Sequence, residues 1–222
     1  RTANEYDGEE YDATKELTGW NTIGYNDSKW LTPEIVKAPD GVIRTQMNEP
    51  MKVMKTIKPV SIKKINYSTF ILDMGQNFAG WLQLSVKGKA GTRVTMRFAE
   101  SLQPNDSLYT ANLRSAFQKN IYTLKGSGVE VWHPAFIYNG FRFVEITGYP
   151  GTPTVNDFDG LVVYDGFNTI GSLQTSDTII NKVLQNAWWG ISSNYKGMPV
   201  DCLQRYERQP WLGDHAIGCY GE

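Results

Sequence analysis

Short runs in which apolar and polar residues alternate fill residues 67–164, and helical periodicity is missing there. Alternation with a period of two is the pattern of a strand with one buried face. Clusters of Gly, Asn, Asp and Pro separate the runs, as they do between antiparallel strands. The spacing therefore predicts a mainly β fold, an antiparallel β-sandwich of the jelly-roll or concanavalin-like kind. The predicted strands are residues 69–73, 81–86, 92–98, 120–124, 141–147 and 161–164.

Two of these runs also predict which side chains share a face of the sheet. In the third run, Val94, Met96 and Phe98 alternate with polar residues and are expected to point into the core. In the fifth, Phe141 and Phe143 are expected on the face opposite the neighbouring apolar residues. Turns are predicted at residues 73–77, 87–91, 125–128 and 148–151.

The hydrophobic period changes after residue 171. Apolar residues then recur every three or four positions, which predicts an amphipathic helix that begins at Ser176 or Asp177. The apolar positions of this face are Ile179, Ile180, Val183, Leu184, Ala187, Trp188 and Ile191. Three parts are therefore expected: the end of an N-terminal β module with a Pro-containing linker over residues 1–50, a sandwich over 51–165, and the truncated start of a helical domain over 166–222.

Composition narrows the functional classes. The chain has 222 residues and a formal net charge of -1, with 22 basic and 23 acidic residues, so nucleic acid is an unfavourable partner. Apolar stretches are far shorter than the roughly 18 to 20 residues that cross a bilayer, so no membrane span is expected. Cys202 and Cys219 have neither the number nor the spacing of a disulfide framework or a zinc site, and no cofactor or metal is expected.

Chemically active side chains are concentrated in residues 201–215, where they follow no hydrophobic period. Pro210 disfavours a continuous helix, which indicates a loop. Glycoside hydrolysis uses paired carboxylic acids, and Arg and Trp side chains suit sugar binding. Crowding of negative charge would keep Glu207 protonated as a donor. From composition alone, a solvated charged loop or a structural ion-pair network explains the cluster equally well.

The motif itself favours the first interpretation. The run Asp201-Cys202-x-Gln204-Arg205-x-Glu207-Arg208-x-x-Trp211-x-Gly213-Asp214 resembles a signature of the bacterial α-L-rhamnosidases of glycoside hydrolase family 78. Other resemblances to this family span most of the chain. They are Tyr6-Asp-Gly-Glu-x-Tyr-Asp-Ala, Asp73-Met-Gly-Gln-Asn-Phe-Ala-Gly-Trp81, His133-Pro-Ala-Phe-x-Tyr-x-Gly-Phe-Arg142 and Gly148-Tyr-Pro-Gly151.

The resemblance implies an inverting hydrolase that acts on rhamnose-containing glycosides or polysaccharides. It implies that the predicted helix opens an (α/α)6 barrel. By matching positions, it also implies that Glu207 is the general acid and that the rhamnose is contacted by Asp201, Arg205, Trp211 and Asp214. His215 is a further candidate, as a sugar ligand or as a structural residue. The family's general base lies farther along the barrel than this chain extends, so the chain alone is expected to be inactive.

Two positions depart from the family pattern. Leu203 stands where Pro is frequent, and Gln209-Pro210 replaces a Leu-Gly type of pair, so the loop shape is in question rather than the chemistry. A noncatalytic carbohydrate-binding or structural β-sandwich module stays open as the alternative function. The sequence also leaves open the aglycone, the linkage, the oligomeric state, and a periplasmic, secreted or cytoplasmic location.

Overall fold

Twelve strands and two helices form the regular structure of residues 1–218, the part of the chain that this computed structural model describes. Cys219 and Glu222 lie outside the described residues. Single 3-10 turns occur at Ala13–Lys15, Ala111–Leu113 and Val155–Asp157. The strands are β1 (Thr2–Asn4), β2 (Gly8–Asp12), β3 (Met51–Ile57), β4 (Ser61–Lys64), β5 (Thr69–Lys87), β6 (Arg93–Ala99), β7 (Ser101–Leu102), β8 (Leu108–Tyr109), β9 (Lys119–Thr123), β10 (Val129–Trp132), β11 (Asn139–Thr147) and β12 (Phe158–Asp165), and the helices are α1 (Thr178–Ser193) and α2 (Leu212–Gly218).

Ten of these strands form one sheet that curls around a single main core. The order is β1-β2-β9-β6-β11-β5-β12-β3, while β4 and β10 also pair with β5. All pairs are antiparallel except β2 with β9. The mainly β prediction is confirmed. The prediction for β6 is confirmed as well, since Val94, Met96 and Phe98 are fully buried.

The long central strand β5 corrects one predicted turn. Residues 69–73 and 81–86 were expected as two strands, but they belong to one strand of 19 residues. The predicted turn at residues 73–77 is an irregularity inside it, where the pairing with β11 shifts. Gly75 has a positive φ of 78° there, and its N–H donates to Asp73 Oδ1 at 2.7 Å. Turn-forming residues can make a bulge rather than a reversal when both flanking halves pair with the same neighbour.

The same irregularity corrects the faces predicted for β11. Phe141 and Phe143 were expected to share a face, but Phe141 lies in the main core together with Val144 and Ile146. Phe143 instead packs on a smaller cluster around Ile71. A register shift between Phe141 and Phe143 breaks the period of two, and a sequence pattern does not reveal such a shift.

Helix α1 begins where the sequence predicted. Asp177 is its N-cap, and Asp177 Oδ1 accepts from the N–H groups of Ile179 at 2.7 Å and Ile180 at 3.3 Å. Trp188 and Trp189 pack on the sheet core, which anchors the helix to the sandwich. The outer apolar face of α1 stays exposed, with Ile179 at 73%.

The N-terminal residues contribute to the same sheet, because β2 pairs in parallel with β9. Residues 16–50 contain no strand and are almost entirely exposed. The division at residues 50 and 165 stays a prediction. Within the described residues, no helix is long and apolar enough to cross a membrane.

Candidate active site

Residues 201–211 form an irregular loop between α1 and α2, in agreement with the Pro210 argument. Its two ends are held together by a pair of backbone hydrogen bonds, Asp201 N–H to Gln209 O at 3.1 Å and Arg208 N–H to Asp201 O at 3.0 Å. Cys202 and Arg208 both have a positive φ, near 55°. The loop is therefore closed on itself, and its backbone adopts conformations that L residues rarely use.

Arg208 fastens this loop to the sandwich. Its side chain is buried, and it donates to the backbone carbonyls of Glu5 and Tyr138 and to Gln118 Oε1. Burial lowers the pKa of the Arg208 guanidinium from its ordinary value. Tyr6 adds a second attachment, since its hydroxyl donates to the backbone carbonyl of Glu207 at 3.2 Å. The loop is thus positioned mainly by residues far away in the sequence.

The carboxylate of Glu207 lies between two guanidinium groups. Glu207 Oε2 is 2.7 Å from Arg205 Nη2 and 3.7 Å from Arg114 Nη1, and the side chain is 17% exposed. The sequence interpretation placed Glu207 among carboxylates, and this is corrected: its nearest charged partners are cations. Arg205, expected to contact sugar, forms a salt bridge with the predicted acid.

Neighbouring carboxylates act on the pKa of Asp201. Burial raises the pKa of the Asp201 carboxyl, and the charges of Asp214 and Glu207 raise it further, while Arg205 opposes them. A carboxyl group with a raised pKa keeps its proton at higher pH. The protonation of Asp201 therefore depends on its burial and on its carboxylate neighbours.

Four predicted site residues line one cleft of about 320 Å³ between α1, the loop and α2. Its walls also include apolar atoms of Ile191 and Val200 from α1 and the chain after it. Two predicted residues, Arg205 and Glu207, do not line this cleft and form a separate ion pair. The four residues brought together are Asp201, Trp211, Asp214 and His215.

Three more residues of this region, His215, Cys202 and Leu203, have defined surroundings. The His215 ring makes an edge contact with Tyr195, with centroids 6.2 Å apart. Burial raises the pKa of the Cys202 thiol, which favours its inert protonated form. Leu203 is buried against Ala79 and Val200, which accounts for an apolar residue there. Within the part of the chain that the structure describes, no three His, Cys, Asp or Glu side chains form a metal-binding group.

Comparisons with known families match nearly the whole chain. Three family models match it, described as the α-L-rhamnosidase N-terminal domain for residues 1–55, the bacterial α-L-rhamnosidase concanavalin-like domain for 63–164, and the bacterial α-L-rhamnosidase six-hairpin glycosidase domain for 168–222. The chain belongs to the bacterial α-L-rhamnosidase family. The predicted resemblance and the predicted fold class are confirmed.

Individual members of the rhamnosidase family agree over the same residues. A curated α-L-rhamnosidase of Streptomyces avermitilis is 38% identical over 93% of this chain, and one of Alteromonas sp. is 36% identical over 96%. The solved α-L-rhamnosidase from "Dictyoglumus thermophilum" superimposes with a TM-score of 0.94 at 37% identity over 98% of the chain. The Streptomyces avermitilis enzyme in complex with L-rhamnose gives 0.91.

This rhamnosidase-family chain spans only part of those relatives. It covers 20% and 24% of the two curated relatives, and 25% and 21% of the two solved chains. The roles of Glu207, Asp201, Arg205, Trp211 and Asp214 stay predictions.

Sequence reasoning missed the sandwich residues that touch the loop. Arg114 and Gln118 stand in none of the quoted motifs, and the motif that Tyr6 opens gave no sign of its contact with the loop. These residues are about 90 to 200 positions from Glu207 and Arg208. Two aromatic side chains at the end of β10 are packing residues. His133 stacks on Trp81 with ring centroids 4.7 Å apart, and Trp132 is buried in the main core.

Proposed function

We propose that this chain is the β-rich part and the beginning of the catalytic domain of an inverting α-L-rhamnosidase. Glu207 protonates the leaving oxygen, and Asp201, Trp211 and Asp214 bind the terminal rhamnose. The general base comes from the protein outside residues 1–222. The three parts are residues 1–50, 51–165 and 166–222, with the last forming the first helices of an (α/α)6 barrel.

One observation carries this proposal: Asp201, Trp211, Asp214 and His215 line one cleft, and Asp201 and Trp211 belong to the same loop as Glu207. Carboxylates accept hydrogen bonds from adjacent sugar hydroxyls, and an indole ring packs on an apolar sugar face. A methyl group on the sugar would add contact with Trp211 and with the apolar wall of the cleft. The identities and structural matches to α-L-rhamnosidases support the substrate class.

The mechanism needs a second carboxylate across the sugar. Inverting hydrolysis places the acid and the base roughly 6.5 to 9.5 Å apart, with the attacking water between them. The chain alone is therefore expected to bind without turnover.

The test measures hydrolysis of 4-nitrophenyl and methyl α-L-rhamnoside by three proteins. They are the proposed longer enzyme that contains this chain, its Glu207→Gln variant and this chain alone. We expect the variant to lose roughly 10² to 10⁴ in kcat on the methyl glycoside, because that leaving group needs a proton, and much less on the nitrophenyl glycoside. Proton NMR of the first product should show the inverted anomer. Retention of configuration, or a fully active Glu207→Gln variant, would contradict the mechanism.

An Asp201→Asn variant separates the two acidic candidates. If Asp201 is a sugar ligand, this variant should raise KM on both substrates alike. If Asp201→Asn, and not Glu207→Gln, loses much more kcat on the methyl glycoside than on the nitrophenyl glycoside, then Asp201 is the general acid.

A second candidate, noncatalytic saccharide binding, is favoured by another cleft of about 410 Å³ between the β5 bulge and α1. Side-chain amides, which donate and accept as sugar hydroxyls do, dominate its polar lining. They belong to Gln76, Asn77, Gln185, Asn186, Asn194 and Gln204. Titration of this chain with a rhamnose oligosaccharide, with Gln185→Ala as the cleft variant, tests this function without any turnover.

A further inference from the structure

The predicted acid receives a contact from the β-sandwich. Arg114 Nη1 lies 3.7 Å from Glu207 Oε2, the oxygen that Arg205 Nη2 also approaches at 2.7 Å. Arg205 belongs to the same loop as Glu207, whereas Arg114 follows the 3-10 turn Ala111–Leu113 of the sandwich. Two cations from different parts of the chain therefore converge on one carboxylate oxygen.

The segment that carries Arg114 is itself docked on the loop. Leu113 is fully buried, and its backbone carbonyl accepts from the N–H of Tyr206 at 3.2 Å. Tyr206 also packs on Tyr6, with ring centroids 4.5 Å apart. Two neighbouring contacts thus join this segment to the loop. The backbone of Leu113 contacts Tyr206, and the side chain of Arg114 contacts Glu207.

Unusual backbone geometry is concentrated at this contact. Among the described residues other than glycine, five have a positive φ, and four of them lie in residues 114–118 or in the loop. Such conformations are unfavourable and persist where surrounding contacts hold them, which is common at functional sites. The four residues are Arg114, Gln118, Cys202 and Arg208.

Stability does not account for the Arg114 contact. The Arg114 side chain is 57% exposed, and an ion pair with such an exposed partner contributes little to stability. General acid catalysis, in contrast, depends on orientation, because the donor oxygen must reach the leaving group within about 2.6 to 3.2 Å. A second cation on Oε2 restricts rotation of the Glu207 carboxylate.

We propose that Arg114 is a positioning residue for Glu207, so that the β-sandwich completes the acid half of the active site. This inference rests on the proposed function, in which Glu207 is the proton donor. Arg114 acts through Glu207 and has no assigned contact with the sugar.

The test uses the longer enzyme with Arg114→Gln, Arg114→Lys and the control Arg93→Gln. Arg93 is a sandwich arginine that is 55% exposed and forms an ion pair with Glu10. Arg93→Gln therefore removes the same charge as Arg114→Gln, but at a site away from the loop. We expect Arg114→Gln to lower kcat on methyl α-L-rhamnoside by about tenfold or more, within the 10² to 10⁴ that a general acid supplies. KM and Tm should stay near wild type, and the nitrophenyl glycoside should be affected far less.

Conservative replacement adds a second readout. Arg114→Lys should restore part of the lost kcat, because it returns the charge without the planar fork. In the Glu207→Gln background, Arg114→Gln should cause no further loss, since the group that it positions is gone. Arg93→Gln should match wild type throughout.

Three results for Arg114→Gln would overturn the inference: an unchanged kcat, an equal loss of kcat on both glycosides, or a loss of kcat that is accompanied by a lower Tm. A fully active Glu207→Gln enzyme would overturn the acid assignment and this inference together. An impaired Glu207→Gln enzyme with a normal Arg114→Gln enzyme would overturn this inference alone.

Discussion

Lys196 is a buried cation whose replacement should change how stability depends on pH. Its side chain is 7% exposed, and Nζ donates to Val163 O at 2.6 Å and Ser193 O at 2.8 Å. Burial lowers the pKa of Lys196 from 10.5 to about 7, although the charge of Asp165 opposes the shift. Above pH 7 the folded chain therefore holds a neutral amine, which still has two hydrogens for the two carbonyls.

The sign of the effect follows from proton linkage. Between pH 7 and pH 10.5 the unfolded chain binds a proton on Lys196 that the folded chain has lost, so the free energy of unfolding rises with pH. At about 1.4 kcal/mol for each pH unit, the full interval corresponds to about 5 kcal/mol. Between about pH 6.5 and 9.5 the expected rise is about 3 kcal/mol.

Urea unfolding of this chain and of Lys196→Met at several pH values measures this rise. The free energy of wild type minus that of the variant should increase by about 3 kcal/mol over that interval, because Met does not titrate. Lys182→Met, at an exposed position of α1, is the control and should give a flat difference. A flat or falling difference for Lys196→Met would refute the burial argument.

Two further predictions follow from the structure of the sheet. Phe98→Ala should lower the free energy of unfolding by about 3 to 5 kcal/mol, because Phe98 is fully buried. Phe136→Ala, at a ring that is 72% exposed, should change it little. Equal effects of the two substitutions would contradict the assigned core. Gly75→Ala should lower the free energy of unfolding by about 1 kcal/mol or more, since φ is +78° and a Cβ would lie 2.8 Å from Val60 Cγ1. Gly171→Ala is the control, because a Cβ there would meet open space, and urea midpoints compare the two variants.

The sequence determined the features that depend on neighbouring residues. The period of two in β6 placed Val94, Met96 and Phe98 in the core, because successive side chains of any strand alternate between faces. The cap of α1 was readable because Asp177 bonds to N–H groups two and three residues later. Pro210 likewise predicted the irregular backbone of residues 201–211.

Tertiary structure decided which residues surround the predicted acid. The local charge pattern placed Glu207 among carboxylates, but the fold brings Arg114 to its carboxylate and uses buried Arg208 to fasten the loop. It also joined two predicted strands into β5, since a shifted register with β11 turned an expected reversal into a bulge. Local patterns carry propensity and alternation, whereas register and long-range ion pairs are settled only when distant segments pack together.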